Sequence, residues 1–323
     1  MLYLSRFRFN LVAEESLILP SYKGSTLRGG FGNAFRRVVC TLRNKSCHEC
    51  ILKEKCVYSY VFETPPPSNT AVMRKYESAP HPFVIEPPPE RRRGYKPGDE
   101  INFGLILIGR AIDYLPYFIY TFTELGKTGI GKGKGRFELK EVRSQESAVI
   151  YSSDTMTLKP FTSSIMSFPR KWESSSNLNS EGEARPRPYN LTLDFKTPTR
   201  IIYNGHLTLD LEFHILVRNL LRRLSLLSYF HCNIDPSGWD FKGLIEKAKE
   251  IRVKNKDLRW YDWERYSGRQ DVRMKMGGFV GNITFEGNIE PFISFIKAGE
   301  ILHVGKGTAF GLGKYEIMRK MNG

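Results

Sequence analysis

The sequence contains no apolar run long enough to cross a membrane. Its longest candidate, residues 101–119, is interrupted by glycine, arginine, aspartate and proline, whereas a spanning helix needs about 20 apolar residues. Arg6, Arg8 and Asn10 interrupt the hydrophobic residues at the start of the sequence, which disfavours a secretory signal peptide. We therefore expect a cytoplasmic protein, whose five cysteines are thiols or metal ligands rather than disulfides.

Motifs for binding nucleotides are absent as well. Neither glycine-rich stretch has the form GxxxxGK[ST], and the first one follows a predicted helix instead of a strand. Both facts disfavour nucleotide binding of the P-loop or Rossmann type.

Negative charge is scarce relative to positive charge. The chain has 49 Lys and Arg against 34 Asp and Glu, for a formal net charge of +15. A field of this size attracts polyanions, of which nucleic acid is the commonest and an anionic membrane surface is the alternative. Hydrophobic residues make up 41% of the chain, so we expect an ordered protein.

The order of elements predicts two domains, at residues 1–161 and 189–323. Tyr3, Phe7, Phe9 and Leu11 alternate with polar residues and predict a half-buried strand, and Ser25 can cap the helix that follows. Residues 162–188 are rich in serine and poor in large apolar residues, which predicts a flexible linker or insertion. Strands and helices then return in a similar order.

A glycine-rich string recurs in both halves. Residues 133–139 (GKGRFEL) align without gaps with residues 311–317 (GLGKYEI), and each copy lies between a predicted helix and a predicted strand. The repeat indicates duplicated domains. The order strand, helix, strands, helix, strand predicts the fold class α+β, with two tandem ferredoxin-like domains that each carry a glycine-rich loop.

Glycines and cations in these loops are candidates for phosphate contacts, because glycine lets the backbone approach closely. A tight turn that needs positive φ angles is the alternative explanation. Residues 259–275 interleave arginines with tryptophan and tyrosine, a combination typical of RNA-binding surfaces. The predicted RNA-binding residues are Arg28, Lys132, Lys134, Arg136, Arg265, Arg269, Gly305, Gly307, Gly311, Gly313 and Lys314.

Cys40, Cys47, Cys50 and Cys56 lie within seventeen residues and can supply four thiolates to one metal ion. The set suits structural zinc, since a closed site of four cysteines has no open position for catalysis. An iron–sulfur cluster needs the same ligands, and reduced thiols without metal are the third alternative.

Several segments resemble the CRISPR precursor-RNA endoribonucleases of the RAMP superfamily. They include GSTLRGGFGNAFRRVVC from Gly24, the segment GRAIDYLPYFI, the run WYDWERYSGRQ and the terminal LHVGKGTAFGLGKYEI. The resemblance implies two ferredoxin-like (RAMP, RRM-like) domains that bind CRISPR repeat RNA or precursor crRNA. It also implies cleavage without a catalytic metal, and CRISPR effector subunits as further partners. The alternative function is a non-catalytic RAMP subunit that holds guide RNA in an effector complex.

RNA cleavage by 2′-OH attack needs a base, an acid and cations beside the phosphate, and it leaves a 2′,3′-cyclic phosphate and a 5′-OH. Histidine suits both proton transfers near neutral pH. Many members of the family place this histidine on or just after the first helix, but residues 24–42 contain none. His303, next to the second glycine-rich loop, is our first candidate, and His231 and Lys306 are the further catalytic candidates; a structural role for His303 is the alternative.

Overall fold

The computed structural model describes residues 2–42, 45–66, 79–168, 189–267 and 272–318, with the backbone alone at positions 189, 265–267 and 272–274. The first half contains β1 (Leu2–Ala13), β2 (Leu17–Ile18), α1 (Gly24–Val39), β3 (Phe83–Glu86), β4 (Gly94–Tyr95), β5 (Glu100–Ile108), α2 (Leu115–Thr128), β6 (Phe137–Arg143), β7 (Val149–Ser152) and β8 (Ser164–Met166). The second half contains β9 (Tyr189–Thr199), β10 (Ile202–Tyr203), β11 (His206–Leu207), α3 (Phe213–Cys232), α4 (Phe241–Lys249), β12 (Arg252–Tyr261), β13 (Glu264–Ser267), β14 (Val272–Lys275), β15 (Gly278–Gly287), α5 (Ile293–Leu302) and β16 (Tyr315–Met318).

Each half has a main antiparallel sheet with the same strand order. The first sheet runs β3-β5-β1-β6-β7, and the second runs β12-β15-β9-β16. Numbered within each half, the four principal strands lie in the order 2-3-1-4, with one helix after the first strand and one after the third. This arrangement is a ferredoxin-like unit, so the predicted tandem fold is confirmed.

The helices of the first half cover one face of their sheet with aromatic side chains. Phe31 of α1 stacks on Phe118 and Phe122 of α2, with ring centroids 4.7 and 5.1 Å apart. Phe9 of β1 lies 5.3 Å from Phe122, which joins the helices to the sheet. These fully buried rings form the first core.

The two halves share the second core. Leu4 of β1 and Ile106 of β5 are buried together with side chains of α3 and the second sheet, and α3 contacts both strands. Strand β1 therefore serves both cores: Leu2 and Leu4 face the second core, while Phe7 and Phe9 face the first. Tyr3, predicted on the buried face, is 40% exposed for this reason.

The predicted linker is partly ordered. Ser164–Met166 forms β8, which pairs with β1, and the ring of Phe168 stacks on Phe295 at 5.4 Å in the second core. Residues 162–168 therefore connect both cores, whereas residues 169–188 lie outside the described part of the chain. Helix α1 also differs from expectation, since it begins at Gly24 after Lys23 and Ser25 is not its cap.

Both glycine-rich stretches lie where the repeat predicts them. The first joins α2 to β6, and the second joins α5 to β16. Several glycines in each have φ between +76° and +85°. A helix must turn sharply into a strand at these points, and glycine adopts that backbone conformation without a steric penalty.

Candidate nucleic-acid interface

A cleft separates the open faces of the two sheets. Its volume is about 1230 Å³, above the roughly 300–1,000 Å³ of a pocket for one small molecule. The first sheet contributes Arg6, Arg8 and Arg143, and the second contributes Lys196 and Arg259. A polymer segment can lie along such a cleft with cations on both sides.

The cations of the cleft differ in whether a carboxylate neutralises them. Arg143 contacts Glu141, and Lys196 contacts Asp194 and Glu316. Arg6, Arg8 and Arg259 are exposed, and none of the three forms an ion pair with another described residue. These arginines are the ones available to bind an external anion.

At one end of the cleft, the second glycine-rich loop rests on the start of α1. The Tyr22 hydroxyl donates to the Phe310 carbonyl oxygen at 2.7 Å. A Cβ on Gly24 would lie 2.0 Å from that oxygen, so only glycine permits this approach. The loop of the second half is thereby fixed to the first helix of the first half.

Arg28 lies at this junction beside two aromatic rings. Its guanidinium carbon is 4.8 Å from the ring centre of Phe62 and 4.7 Å from that of Phe310. One Nη atom lies 3.0 Å from Nε2 of His81, and since arginine can only donate, His81 accepts and carries its proton on Nδ1. The predicted binding residue Arg28 is therefore held in one orientation.

His81 is a residue of this site that the sequence did not identify as a candidate. Burial lowers its pKa to about 3, and the nearby charges of Arg28, His231 and Arg223 act in the same direction. Its Nδ1 atom is buried and makes no hydrogen bond within the described residues. No local spacing connects His81 to Arg28, because 53 positions separate them, so the sequence offers no signal for this pair.

His303 has a structural position. It is fully buried, with φ +62°, and its Nδ1 and Nε2 atoms lie 3.1 Å from the Leu312 carbonyl oxygen and from Oε1 of Glu86. Burial lowers the pKa of His303, while the contacts with Glu86 and Leu312 oppose that lowering. With both nitrogens engaged inside the protein, His303 does not reach a substrate, and its proposed acid–base role is replaced by a positioning role.

His231 is also engaged on both sides. Tyr60 donates its hydroxyl to Nδ1 at 3.1 Å, and Nε2 donates to the Pro80 carbonyl oxygen at 2.7 Å. Burial lowers the pKa of His231 to about 4. Since the side chain is buried, the geometry assigns His231 to holding the end of α3 against the first half instead of to proton transfer. Lys306, by contrast, is exposed on the second glycine-rich loop.

The remaining predicted binding residues fall into four groups, apart from Lys314, which lines the cleft. Gly311 and Gly313 are buried, and a Cβ on Gly313 would lie 1.8 Å from the Val304 carbonyl oxygen, so packing explains both glycines. Gly305 and Gly307 are partly exposed. The cations of the first loop, Lys132, Lys134 and Arg136, are exposed but do not line the cleft, and Arg136 pairs with Glu15. Arg265 lies on β13 with its side chain undescribed, and Arg269 lies outside the described residues.

The four clustered cysteines follow α1. Their thiols are partly exposed and unbridged. Burial raises the pKa of Cys47, and Cys40 and Cys56 are near enough to contribute to that rise. Within the described ranges, no group of three or more histidine, cysteine or acidic side chains is arranged to hold a metal ion, so zinc binding stays a prediction. In the same ranges, no helix is long and apolar enough to span a membrane.

Comparison with known proteins identifies a domain in each half of the chain. Residues 193–315 match the model of the CRISPR-associated endoribonuclease Cas6. The second half therefore contains a Cas6-type domain. Residues 2–163 match a second family model, the AF_1859_N N-terminal domain.

One sequence relative covers most of the chain, and two solved structures support the same fold. An uncharacterized protein of Archaeoglobus fulgidus is 22% identical over 93% of this chain and 92% of its own length. Cas6 of Thermus thermophilus in a product complex superposes with a TM-score of 0.54 at 16% identity, over 98% of this chain and 99% of its own. A chain of a partial Cas6–RT–Cas1–Cas2 complex superposes with a TM-score of 0.57 at 16% identity, over 100% of this chain. This chain spans about half, 47%, of the length of that longer chain.

Proposed function

We propose that this protein binds CRISPR repeat RNA and cuts precursor crRNA as an endoribonuclease. The observation that carries the proposal is the cleft between the two sheets, which Arg6, Arg8 and Arg259 line and which extends to Tyr22 and Gly311 at the junction of α1 with the glycine-rich loop. The match of residues 193–315 to the Cas6 endoribonuclease model supports the same activity. The Cas6 relatives include a product complex and a complex with Cas1 and Cas2, which supports repeat RNA and CRISPR complex subunits as partners.

In the proposed complex, a single RNA strand follows the cleft. Arg6, Arg8 and Arg259 bind phosphates, because they are exposed and their charges are not neutralised by described carboxylates. Tyr261 lines the same cleft, with the guanidinium of Arg91 5.7 Å from its ring centre, and offers a surface on which a base can stack. Binding of this kind depends strongly on salt.

The proposed chemistry is attack by a 2′-OH on the adjacent phosphate, which leaves a 2′,3′-cyclic phosphate and a 5′-OH and needs no metal ion. Arg28 is the candidate cation for the charge that develops on the phosphate, since contacts with Phe62, Phe310 and His81 hold its guanidinium at the junction of α1 and the loop. Lys306 supplies a second cation from the glycine-rich loop.

One observation favours a second function, that of a non-catalytic RAMP subunit which holds guide RNA. His303 and His231, the two histidines predicted to transfer protons, have all their ring nitrogens engaged within the protein. A protein that only binds RNA needs the cleft and no acid or base. Cleavage therefore has to be measured separately from binding.

The test is incubation of the purified protein with repeat RNA in EDTA, beside a scrambled RNA of equal length. The endoribonuclease cuts the repeat at one position, and the subunit binds it tightly without cutting. Arg28→Gln should lower the single-turnover rate about 10²–10³-fold, whereas Arg218→Gln, an exposed change on α3, should not. Cutting by Arg28→Gln at the wild-type rate would remove Arg28 from the proposed site.

A further inference from the structure

One carboxylate of the first half contacts both ends of the second glycine-rich loop. Oε1 of Glu86, at the end of β3, lies 3.1 Å from Nε2 of His303 and 2.8 Å from Nζ of Lys314. His303 immediately follows α5, and Lys314 immediately precedes β16. The loop between these two residues is therefore closed by an acceptor from the other half of the molecule.

The backbone makes room for this contact in two places. Gly104 is paired with Glu86 across the first sheet, and a Cβ there would lie 2.7 Å from Oε2 of Glu86. His303 adopts φ +62°, a conformation that is strained for a side chain of its kind and that persists only where surrounding contacts enforce it. Its two nitrogens face two acceptors, a carbonyl and a carboxylate, so donation to both requires the imidazolium, the form that burial of His303 opposes by lowering its pKa.

This contact also lies on the path proposed for RNA. Glu86, Gly104, Gly311 and Lys314 all line the cleft. The Lys314 side chain is 33% exposed, so a phosphate can reach it, while His303 is fully buried and remains beneath Glu86. Two donors that converge on one oxygen are the arrangement that a phosphate oxygen takes in charge-assisted hydrogen bonds.

We propose that Glu86 is a positioning residue which, in the free protein, occupies the place of an RNA phosphate at Lys314 and holds the loop in shape through His303. When repeat RNA enters the cleft, a phosphate takes over Lys314 while the contact between Glu86 and His303 persists. This proposal rests on the function proposed above. It adds that Lys314 exchanges Glu86 for an RNA phosphate when RNA binds.

The first test compares Glu86→Gln with Glu246→Gln, which removes the same charge from an exposed pair with Lys249 on α4. Glu86→Gln should bind repeat RNA several-fold tighter, because Lys314 is freed, and should cut it about 10–100-fold more slowly, because the loop is displaced. Glu246→Gln should change neither value. A purely structural role predicts weaker binding in Glu86→Gln, and that result, or unchanged affinity and rate, overturns the proposal.

The second test does not require the Glu86 variant to fold. If Lys314 binds a phosphate in the complex, Lys314→Met should reduce the salt slope of RNA binding by about 0.7, whereas Lys249→Met should leave it unchanged. An unchanged slope in Lys314→Met means that the lysine stays with Glu86, which contradicts the exchange. If the wild type binds repeat RNA but does not cut it, the proposed nuclease function fails, and the affinity and slope measurements still decide the role of Glu86.

Discussion

The contact of Glu86 with His303 and Lys314 predicts a pH-dependent contribution to stability. Burial raises the pKa of Glu86, but hydrogen bonds and charges from His303 and Lys314 outweigh burial and set it at about 2. The difference from the ordinary value of 4.5 corresponds to about 3 kcal/mol. The Glu86 side chain is only 14% exposed, so solvent screens this contribution weakly.

The sign follows from the direction of the shift. Since the pKa is depressed in the folded state, the stabilisation is complete above pH values of about 5 and disappears as the pH falls towards 2. Glu86→Gln should therefore lose about 3 kcal/mol of unfolding free energy at pH 7 and about half of that near pH 3. Glu246→Gln, in an exposed pair, should differ little from wild type at either pH.

Urea unfolding at pH 7, 5 and 3, followed by circular dichroism, measures these differences. The two variants and the wild type are compared at each pH, so that other titrating groups cancel. Equal stability of Glu86→Gln and the wild type at pH 7 would refute the reasoning. A difference that grows as the pH falls would refute it as well, because the carboxylate would then be stabilised by something other than its contacts with Lys314 and His303.

Three further predictions concern other parts of the molecule. If about five phosphates are neutralised, the logarithm of the binding constant for repeat RNA should fall with log salt at a slope near −4. Filter binding at several salt concentrations should show that Arg8→Ala makes this slope shallower by about 0.7. A slope near zero for the wild type excludes electrostatic binding. Elemental analysis should find about one zinc per chain, and Cys50→Ser should lower both the metal content and the melting temperature. If the purified wild type contains no metal and Cys50→Ser melts at the same temperature, the zinc site is excluded. Gly313→Ala should lower the free energy of unfolding by more than about 1 kcal/mol, because Gly313 has a φ of +76° and a Cβ there would meet the Val304 carbonyl oxygen. Urea unfolding measures this change. A variant as stable as the wild type would show that the loop can rearrange.

Local patterns in the sequence predicted most of the fold. Alternation placed Phe7, Phe9 and Leu11 in the core, and the glycine-rich repeat identified two corresponding turns from helix to strand. Alternation failed at Tyr3, because β1 passes from one core to the other between Leu4 and Phe7. A strand that serves two cores changes its buried face at a position that depends on the second domain, and a local pattern carries no information about that domain.

The candidate site was less predictable, because its contacts join distant residues. His303 was selected for its place beside the glycine-rich loop, yet its partner Glu86 is 217 positions away and belongs to the other half. Arg28 was predicted as an RNA-binding residue, which stays a prediction, and its contacts with Phe62 and Phe310 depend on docking of the two halves. Proximity in sequence identified the loop and could not separate an exposed histidine from a buried one.

Cleavage of repeat RNA in EDTA tests the central claim most directly, when the intact substrate is compared with one that has a single 2′-deoxy sugar before the cut. We expect cutting at one position of the intact RNA, with a 2′,3′-cyclic phosphate and a 5′-OH as the new ends. We also expect that the deoxy substrate binds with nearly the same affinity and is not cut, because it lacks the nucleophile. Cutting of the deoxy substrate, or tight binding of the intact repeat with no cutting at all, would contradict the proposed endoribonuclease.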